Sequence, residues 1–109
     1  MNTASKEPGQ SATGRDTVGI SLMSSSDTEA AVALIREEQP EASVSFRGCF
    51  YKVECAGVLE FDMAKLTERL GRPIDTDGFL VNMSTYYGRM VVSDGLVQIH
   101  SDIQPERFR

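Results

Sequence analysis

The chain has 109 residues, of which 40% are hydrophobic and 25% charged, and its formal net charge at pH 7 is -5. This length predicts one domain that can bury a core without disulfides or metals. The acidic balance, without clusters of Lys and Arg, argues against a nucleic-acid-binding protein, and no apolar run approaches the roughly 18 residues of a membrane span. We therefore expect a cytoplasmic protein that binds neither nucleic acid nor membrane.

The composition divides the chain into a domain and two tails. Residues 1–17 consist mainly of Ser, Thr, Gly, Pro and charged residues. Such a segment has too few apolar side chains to offset the entropy of ordering, so we expect a disordered N-terminal tail. The folded domain is predicted to cover residues 18–103, and residues 104–109 to form a short C-terminal tail.

The first elements of the domain are a strand and a helix. Val18, Ile20 and Leu22 alternate with smaller or more polar residues, which predicts a half-buried strand. Ser26 and Glu29 have the spacing of a capping box, so a helix is expected to begin near Asp27. Pro40 prevents its continuation.

The middle of the chain predicts a hairpin and then a second helix. A turn near Arg47 and Gly48 separates two strands, and a bend is expected at Gly57. Asp62 can cap the second helix, which Gly71 and Pro73 end. Val44 and Phe46 share one face of the first of these strands, and Tyr51, Val53 and Cys55 share a side of the next. Met63, Leu66 and Leu70 fall on one face of the helix.

The last part of the chain predicts three strands. Residues 75–78 indicate a turn or short helical piece, and residues 80–89 then form a strand. With a period of two, Val81 and Met83 face the core, whereas Asn82, Ser84 and Tyr86 face outward. A final hairpin joins residues 89–93 and 96–100 through Asp94 and Gly95. The order β-α-β-β-α-β-β-β indicates an α+β fold, in which two helices pack on a mainly antiparallel sheet.

Few residues in this chain suit catalysis or metal binding. Cys49 and Cys55 do not have the spacing of a metal or redox pair, and we expect both to be reduced thiols. His100 is the only histidine, which weakens any zinc or carboxylate-bridged diiron site. A nucleophilic site would need a cysteine, His100 and Asp102 to converge; a surface histidine on an edge strand is the better interpretation.

Three stretches resemble one protein family. They are residues 51–59 (YKVECAGVL), residues 66–73 (LTERLGRP) and residues 81–89 (VNMSTYYGR). Together, in this order and spacing, they are similar to the effector proteins of soluble diiron monooxygenases, the family of methane monooxygenase component B and its phenol and toluene counterparts. The resemblance covers the chain from Val18 to about Asp102. At Thr85 and Tyr86 this chain departs from the methane monooxygenase pattern, which has smaller residues there.

The resemblance implies a regulatory protein rather than an enzyme. Members of this family carry no cofactor and bind the hydroxylase over its diiron site, where they alter substrate access, oxygen activation and coupling; a reductase belongs to the same system. By resemblance, the residues expected to contact the hydroxylase are Asn82, Ser84, Thr85 and Tyr86. The N-terminal tail is expected to order on the partner.

Two other function classes compete with this interpretation. A small α+β module could bind a metabolite or protein of an unrelated pathway, and would be recognised by a concave apolar pocket with convergent polar groups. A cofactor-free enzyme would need Asp, Tyr or His groups that converge and have shifted pKa values.

Overall fold

The structure is a computed structural model and describes residues 16–101; the predicted C-terminal tail and all but two residues of the predicted N-terminal tail lie outside this range. Seven strands and three helices are found within it. Their bounds are β1 (Thr17–Met23), α1 (Ser26–Glu38), β2 (Ser43–Phe46), β3 (Phe50–Ala56), β4 (Val58–Asp62), α2 (Met63–Leu70), α3 (Thr76–Leu80), β5 (Met83–Tyr87), β6 (Arg89–Ser93) and β7 (Leu96–His100). Thr17, which was predicted in the tail, begins β1 because it pairs with Ala56.

The strands form two antiparallel sheets, which confirms the α+β fold class. The first sheet has the order β2-β3-β1-β5, and the second has the order β4-β7-β6. His100 therefore lies on a central strand and is half-buried, with its ring 3.3 Å from the Gln98 amide oxygen. The predicted placement on an edge strand was wrong because pairing with β4 and β6 covers both sides of β7.

The chain passes between the two sheets at two glycines. Gly57 (φ +89°) separates β3 from β4, and Gly88 (φ +115°) separates β5 from β6. Left-handed backbone of this kind is strained for residues with a side chain. At Gly88 there is also no space for a side chain, because a Cβ atom would lie 2.8 Å from methyl carbons of Val18 and Ile99. The bend expected at Gly57 is thus a change of sheet, which splits one predicted strand into two.

The helices begin and end largely as expected. Asp62 caps α2 by accepting hydrogen bonds from the N–H groups of Ala64 and Lys65, and Gly71 ends the helix in the left-handed conformation. For α1, the prediction is wrong by one residue: Ser25 is the N-cap, and its hydroxyl accepts from the Thr28 N–H at 3.1 Å. α3 was expected as a turn or short helical piece and forms a helix of five residues.

Both sheets and all three helices contribute to one hydrophobic core. The tilted rings of Phe61 and Phe79 pack with centroids 4.8 Å apart and connect the second sheet to α3. The other large core side chains are Val18, Ile20, Leu22, Ile35, Val53, Leu59, Leu66, Val97 and Ile99. As predicted, both cysteines are free thiols. Burial raises the pKa of the Cys55 thiol, and the nearby Glu41 carboxylate adds to this rise.

No helix among residues 16–101 is long and apolar enough to span a membrane.

Candidate functional site

The four predicted contact residues lie at the edge of the first sheet, where β5 pairs with β1. They do not form one displayed face. Asn82 precedes β5, whereas Ser84, Thr85 and Tyr86 belong to it. The prediction that Val81 is buried was wrong, because this residue is the C-cap of α3 and its side chain is 81% exposed. The predicted alternation also fails within β5. The register shift at Ser21/Leu22 places both Met83 and Tyr86 opposite buried residues of β1, so the prediction that Tyr86 faces away from Met83 was wrong.

Asn82 makes hydrogen bonds to its neighbours in the fold. Its Oδ1 accepts from Ser25 Oγ at 2.7 Å, and its Nδ2 donates to Asp27 Oδ2 at 3.2 Å and to the Phe79 carbonyl at 3.1 Å. Its own carbonyl accepts from the Met23 N–H at 2.7 Å. Asn82 thus joins the end of β1, the start of α1 and the end of α3.

Ser84, Thr85 and Tyr86 of β5 are exposed but do not all lie on one side of the sheet. Thr85 lies opposite Ser21 and Tyr86 opposite Ile20, and a register shift at Ser21/Leu22 accommodates Ser84. Because directly opposite residues share a face, Tyr86 lies on the side of buried Ile20 and remains 42% exposed only because β5 is an edge strand. Thr85 instead belongs to the solvent face.

Tyr87 crosses this solvent face. Its ring lies over Gly19, where a Cβ atom would be 2.6 Å from the ring, and its hydroxyl donates to the Glu54 carboxylate on β3. Lys52 lies 3.7 Å from the same carboxylate. Burial raises the pKa of Tyr87, and the hydrogen bond to negatively charged Glu54 raises it further. The ring thereby connects the edge strand β5 to β3 across β1.

An open cleft of about 270 Å³ lies beside this ring. It is lined by Thr85, Tyr86 and Tyr87 on one side and by Arg47, Phe50 and Lys52 on the other. This combination of aromatic, hydroxyl and cationic groups is typical of protein contact surfaces. A larger groove of about 530 Å³ lies between α1 and α2. Two ion pairs join the helices at this groove, Lys65 with Glu38 at 2.9 Å and Arg69 with Glu37.

A sequence model of the MmoB/DmpM family matches residues 16–100. The chain belongs to the MmoB/DmpM family. The family prediction made from three short stretches is thereby confirmed. Comparison with curated protein sequences gave no match.

Three solved structures have a similar fold. A chain from the phenol hydroxylase–regulatory protein complex superposes with a TM-score of 0.71 at 19% identity, over 77% of this chain and 97% of that one. A second structure of such a complex gives 0.66 at 20% identity, over 77% and 98%. The soluble methane monooxygenase regulatory protein B gives 0.64 at 26% identity, over 81% and 67%. The family and these neighbours support a regulatory rather than a catalytic role.

This MmoB/DmpM chain shows no arrangement for metal binding in the part that the structure describes: residues 16–101 contain no group of three or more His, Cys, Asp or Glu side chains placed to hold an ion. The possible Cys-His-Asp site is not tested, because Asp102 lies outside the described range. Sequence reasoning missed Arg47, Phe50 and Lys52 as neighbours of Thr85. The one local signal was Gly19 within a strand, which is typical of a close approach by another group.

Proposed function

We propose that this protein is the cofactor-free regulatory component of a soluble diiron hydrocarbon monooxygenase. It binds the hydroxylase near its active site and modulates substrate access, oxygen activation and coupling. The observation that carries this proposal is the family match over residues 16–100. The structural neighbours support it, since they include regulatory proteins in complex with phenol hydroxylase. The proposal includes a cytoplasmic location and a reductase in the same system.

The exposed edge strand β5 and the cleft beside it form the proposed docking surface. Thr85 and Tyr86 are exposed on the two sides of this strand, and Arg47 and Lys52 place positive charge in the cleft of a chain whose net charge is -5. Exposed aromatic rings such as Tyr86 supply contact area with little loss of side-chain entropy. The surface therefore suits a partner with apolar and acidic groups around its substrate access route.

The proposed mechanism is a population shift in the hydroxylase. A protein that binds one conformation more tightly than another changes their ratio by that difference in affinity. A difference of about 5.5 kcal/mol would convert a conformer of 1% into one of 99%. Direct transfer of protons or electrons is not required, because selection of the oxygen-reactive conformer is sufficient.

The test is to titrate this protein into a hydroxylase and its reductase while substrate oxidation and consumption of reducing equivalents are measured. We expect a saturable rise in product per reducing equivalent, which reaches its maximum near one molecule per active site. Several diiron hydroxylases of the phenol, toluene and alkane or alkene branches would be tried. No change in rate, coupling or product distribution with any of them would favour an interaction module of an unrelated pathway.

The docking surface is tested in the same assay with two substitutions of similar exposure. Tyr86 is 42% exposed on β5, and Val92 is 46% exposed on β6 of the other sheet. We expect Tyr86→Ala to raise the half-saturating concentration about tenfold, because aromatic anchors commonly contribute 1 to 2 kcal/mol or more. Val92→Ala should leave it unchanged, and equal effects of the two substitutions would contradict the proposed surface.

A further inference from the structure

Two of the three stretches that resemble the family meet at one carboxylate. Arg72, from residues 66–73, pairs with Asp27 Oδ1, and Asn82, from residues 81–89, donates to Asp27 Oδ2 at 3.2 Å. Arg72 also donates to Ser26 Oγ at 3.2 Å. Segments that are distant in the sequence are therefore linked at the first turn of α1.

The side chain of Asn82 has no donor hydrogen left for another partner, and one of the two acceptor positions of its Oδ1 is used. Both of its Nδ2 hydrogens have acceptors, Asp27 and the Phe79 carbonyl, and its Oδ1 accepts from Ser25. A direct bond to another protein through Nδ2 would have to replace one of these. Hydrogen bonds to charged groups are stronger than those between neutral groups. Replacing the bond from Nδ2 to the Asp27 carboxylate by one to a neutral group of another protein would therefore be unfavourable.

The main chain of Asn82 explains how this linkage reaches the docking surface. Its carbonyl accepts from the Met23 N–H at 2.7 Å, immediately before β5 begins. The register shift at Ser21/Leu22 comes next along the pairing of β1 with β5. A strand whose register shifts by one residue turns its side chains to the opposite face, so the position of Asn82 affects where Thr85 and Tyr86 point.

We propose that Asn82 is a positioning residue, which holds β5 in register through Asp27, Ser25 and Arg72 and does not itself contact the hydroxylase. This inference rests on the proposed function and gives Asn82 a role different from the contact expected by resemblance. Asp27, Ser25 and Arg72 become positioning residues for the same surface.

A double-mutant cycle distinguishes positioning from contact. Asn82→Ala and Asp27→Ala, alone and combined, would be titrated against the hydroxylase. We expect each single substitution to raise the half-saturating concentration about tenfold, the effect of losing a charge-assisted hydrogen bond, and the double substitution to raise it little further. The proposal would be overturned if the two fold-changes in half-saturating concentration multiplied in the double variant. It would also be overturned if Asn82→Ala changed this concentration and Asp27→Ala did not.

A milder pair of substitutions keeps the test valid if the alanine variants fail to fold. Arg72→Gln removes the guanidinium from Asp27 at a side chain that is 50% exposed, and Arg69→Gln, on α2, removes an ion pair with Glu37 of α1. We expect Arg72→Gln to weaken binding about threefold, within the range of exposed ion pairs, and Arg69→Gln to have no effect. Equal effects would contradict the proposal.

Amide hydrogen exchange tests the linkage without any hydroxylase. In the free protein, Asn82→Ala, Asp27→Ala and Arg72→Gln should each speed exchange in residues 83–87, whereas Arg69→Gln should not. If exchange changes as expected but no hydroxylase responds to the native protein, the proposed function fails and the linkage stands. If exchange of β5 is unchanged in all variants, the positioning role is wrong even where coupling activity is present.

Discussion

The two ends of the segment from Asn82 to Gly88 differ from its middle. At one end, the Asn82 side chain is bonded to Ser25, Asp27 and the Phe79 carbonyl. At the other end, Tyr87 crosses Gly19 to reach Glu54, and Gly88 packs against both sheets. Between these ends, Ser84, Thr85 and Tyr86 are exposed. The exposed residues of β5 are therefore held in place by bonds made at their neighbours.

This arrangement is a physical requirement for precise docking. An edge strand has backbone hydrogen-bond partners on one side only. The positions of its side chains therefore depend on how firmly the strand is attached to the sheet. Sites are most precise when rigid elements and a supporting layer of hydrogen bonds fix them. Weakening the contacts of Asn82, or those of Tyr87 and Gly88, should therefore change the positions of the exposed residues between them. Substitution of the exposed residues should leave the contacts at both ends intact.

The largest effect is expected from Gly88→Ala. The new Cβ would lie 2.8 Å from methyl carbons of Val18 and Ile99, and the backbone is left-handed with φ +115°. Overpacking and a left-handed conformation together predict a loss of roughly 3 kcal/mol in the free energy of unfolding. Chemical denaturation followed by circular dichroism would measure it.

Gly48→Ala is the matched control for Gly88→Ala. Gly48 also has a left-handed conformation, with φ +87°, but no atom lies within 4 Å of its added Cβ. Only the conformational strain remains, so we expect a loss of about 1 kcal/mol. Equal losses for the two substitutions would mean that contact with both sheets at Gly88 does not hold this end of the segment.

Local sequence signals predicted much of the fold. The cap at Asp62, the end of α2 at Gly71 and the hairpin turn at Asp94 and Gly95 depend on neighbours within a few residues, and all three are found. Hydrophobic periodicity likewise predicted the buried faces of β1 and α2. These features need no knowledge of which strands pair, because short-range geometry decides them.

The candidate site was harder to predict because distant residues determine it. α3 has only five residues, far below the length at which an isolated helix is stable, and the burial of Phe79 holds it in place. Because α3 extends to Leu80, Val81 and Asn82 are not part of the strand, which begins at Met83. The contacts of Tyr87 depend on β1 lying between β5 and β3, an order that no local pattern reveals. Which side of the sheet each β5 residue faces follows from the same pairing.

An intermediate effect on stability is expected from Tyr87→Phe, which removes the hydrogen bond from Tyr87 to Glu54. Folding raises the pKa of Tyr87 through burial and the hydrogen bond to Glu54. The folded protein therefore holds the phenolic proton more tightly, so this stabilisation is complete below the ordinary tyrosine pKa of about 10 and is lost as the pH rises above it. We expect Tyr87→Phe to cost less than about 1 kcal/mol at pH 7 and to lose less stability between neutral and alkaline pH than the native protein.

Glu54→Gln separates the causes of this pH dependence. It keeps an acceptor for the Tyr87 hydroxyl but removes the negative charge, so the loss at alkaline pH should shrink only in part, because burial is the largest cause of the raised pKa. The pKa values of Tyr51, Cys55 and Lys65 are also raised, so all variants should retain some alkaline loss. Identical pH profiles for native protein and Tyr87→Phe, from thermal unfolding between pH 7 and pH 11, would show that Tyr87 is not anchored as described.

The smallest effect on stability is expected from Thr85→Ala in the exposed middle. Thr85 lies on the solvent face opposite Ser21, so its truncation should change the free energy of unfolding by less than about 0.5 kcal/mol. The half-saturating concentration for the hydroxylase should nevertheless rise about threefold, as for a moderate interface contact. Ser93→Ala, at an exposed position on the edge strand of the other sheet, is the control and should change neither quantity. If Thr85→Ala destabilised the protein as much as Tyr87→Phe but left binding unchanged, the middle of the segment would be part of the support, and the partner surface would have to lie elsewhere.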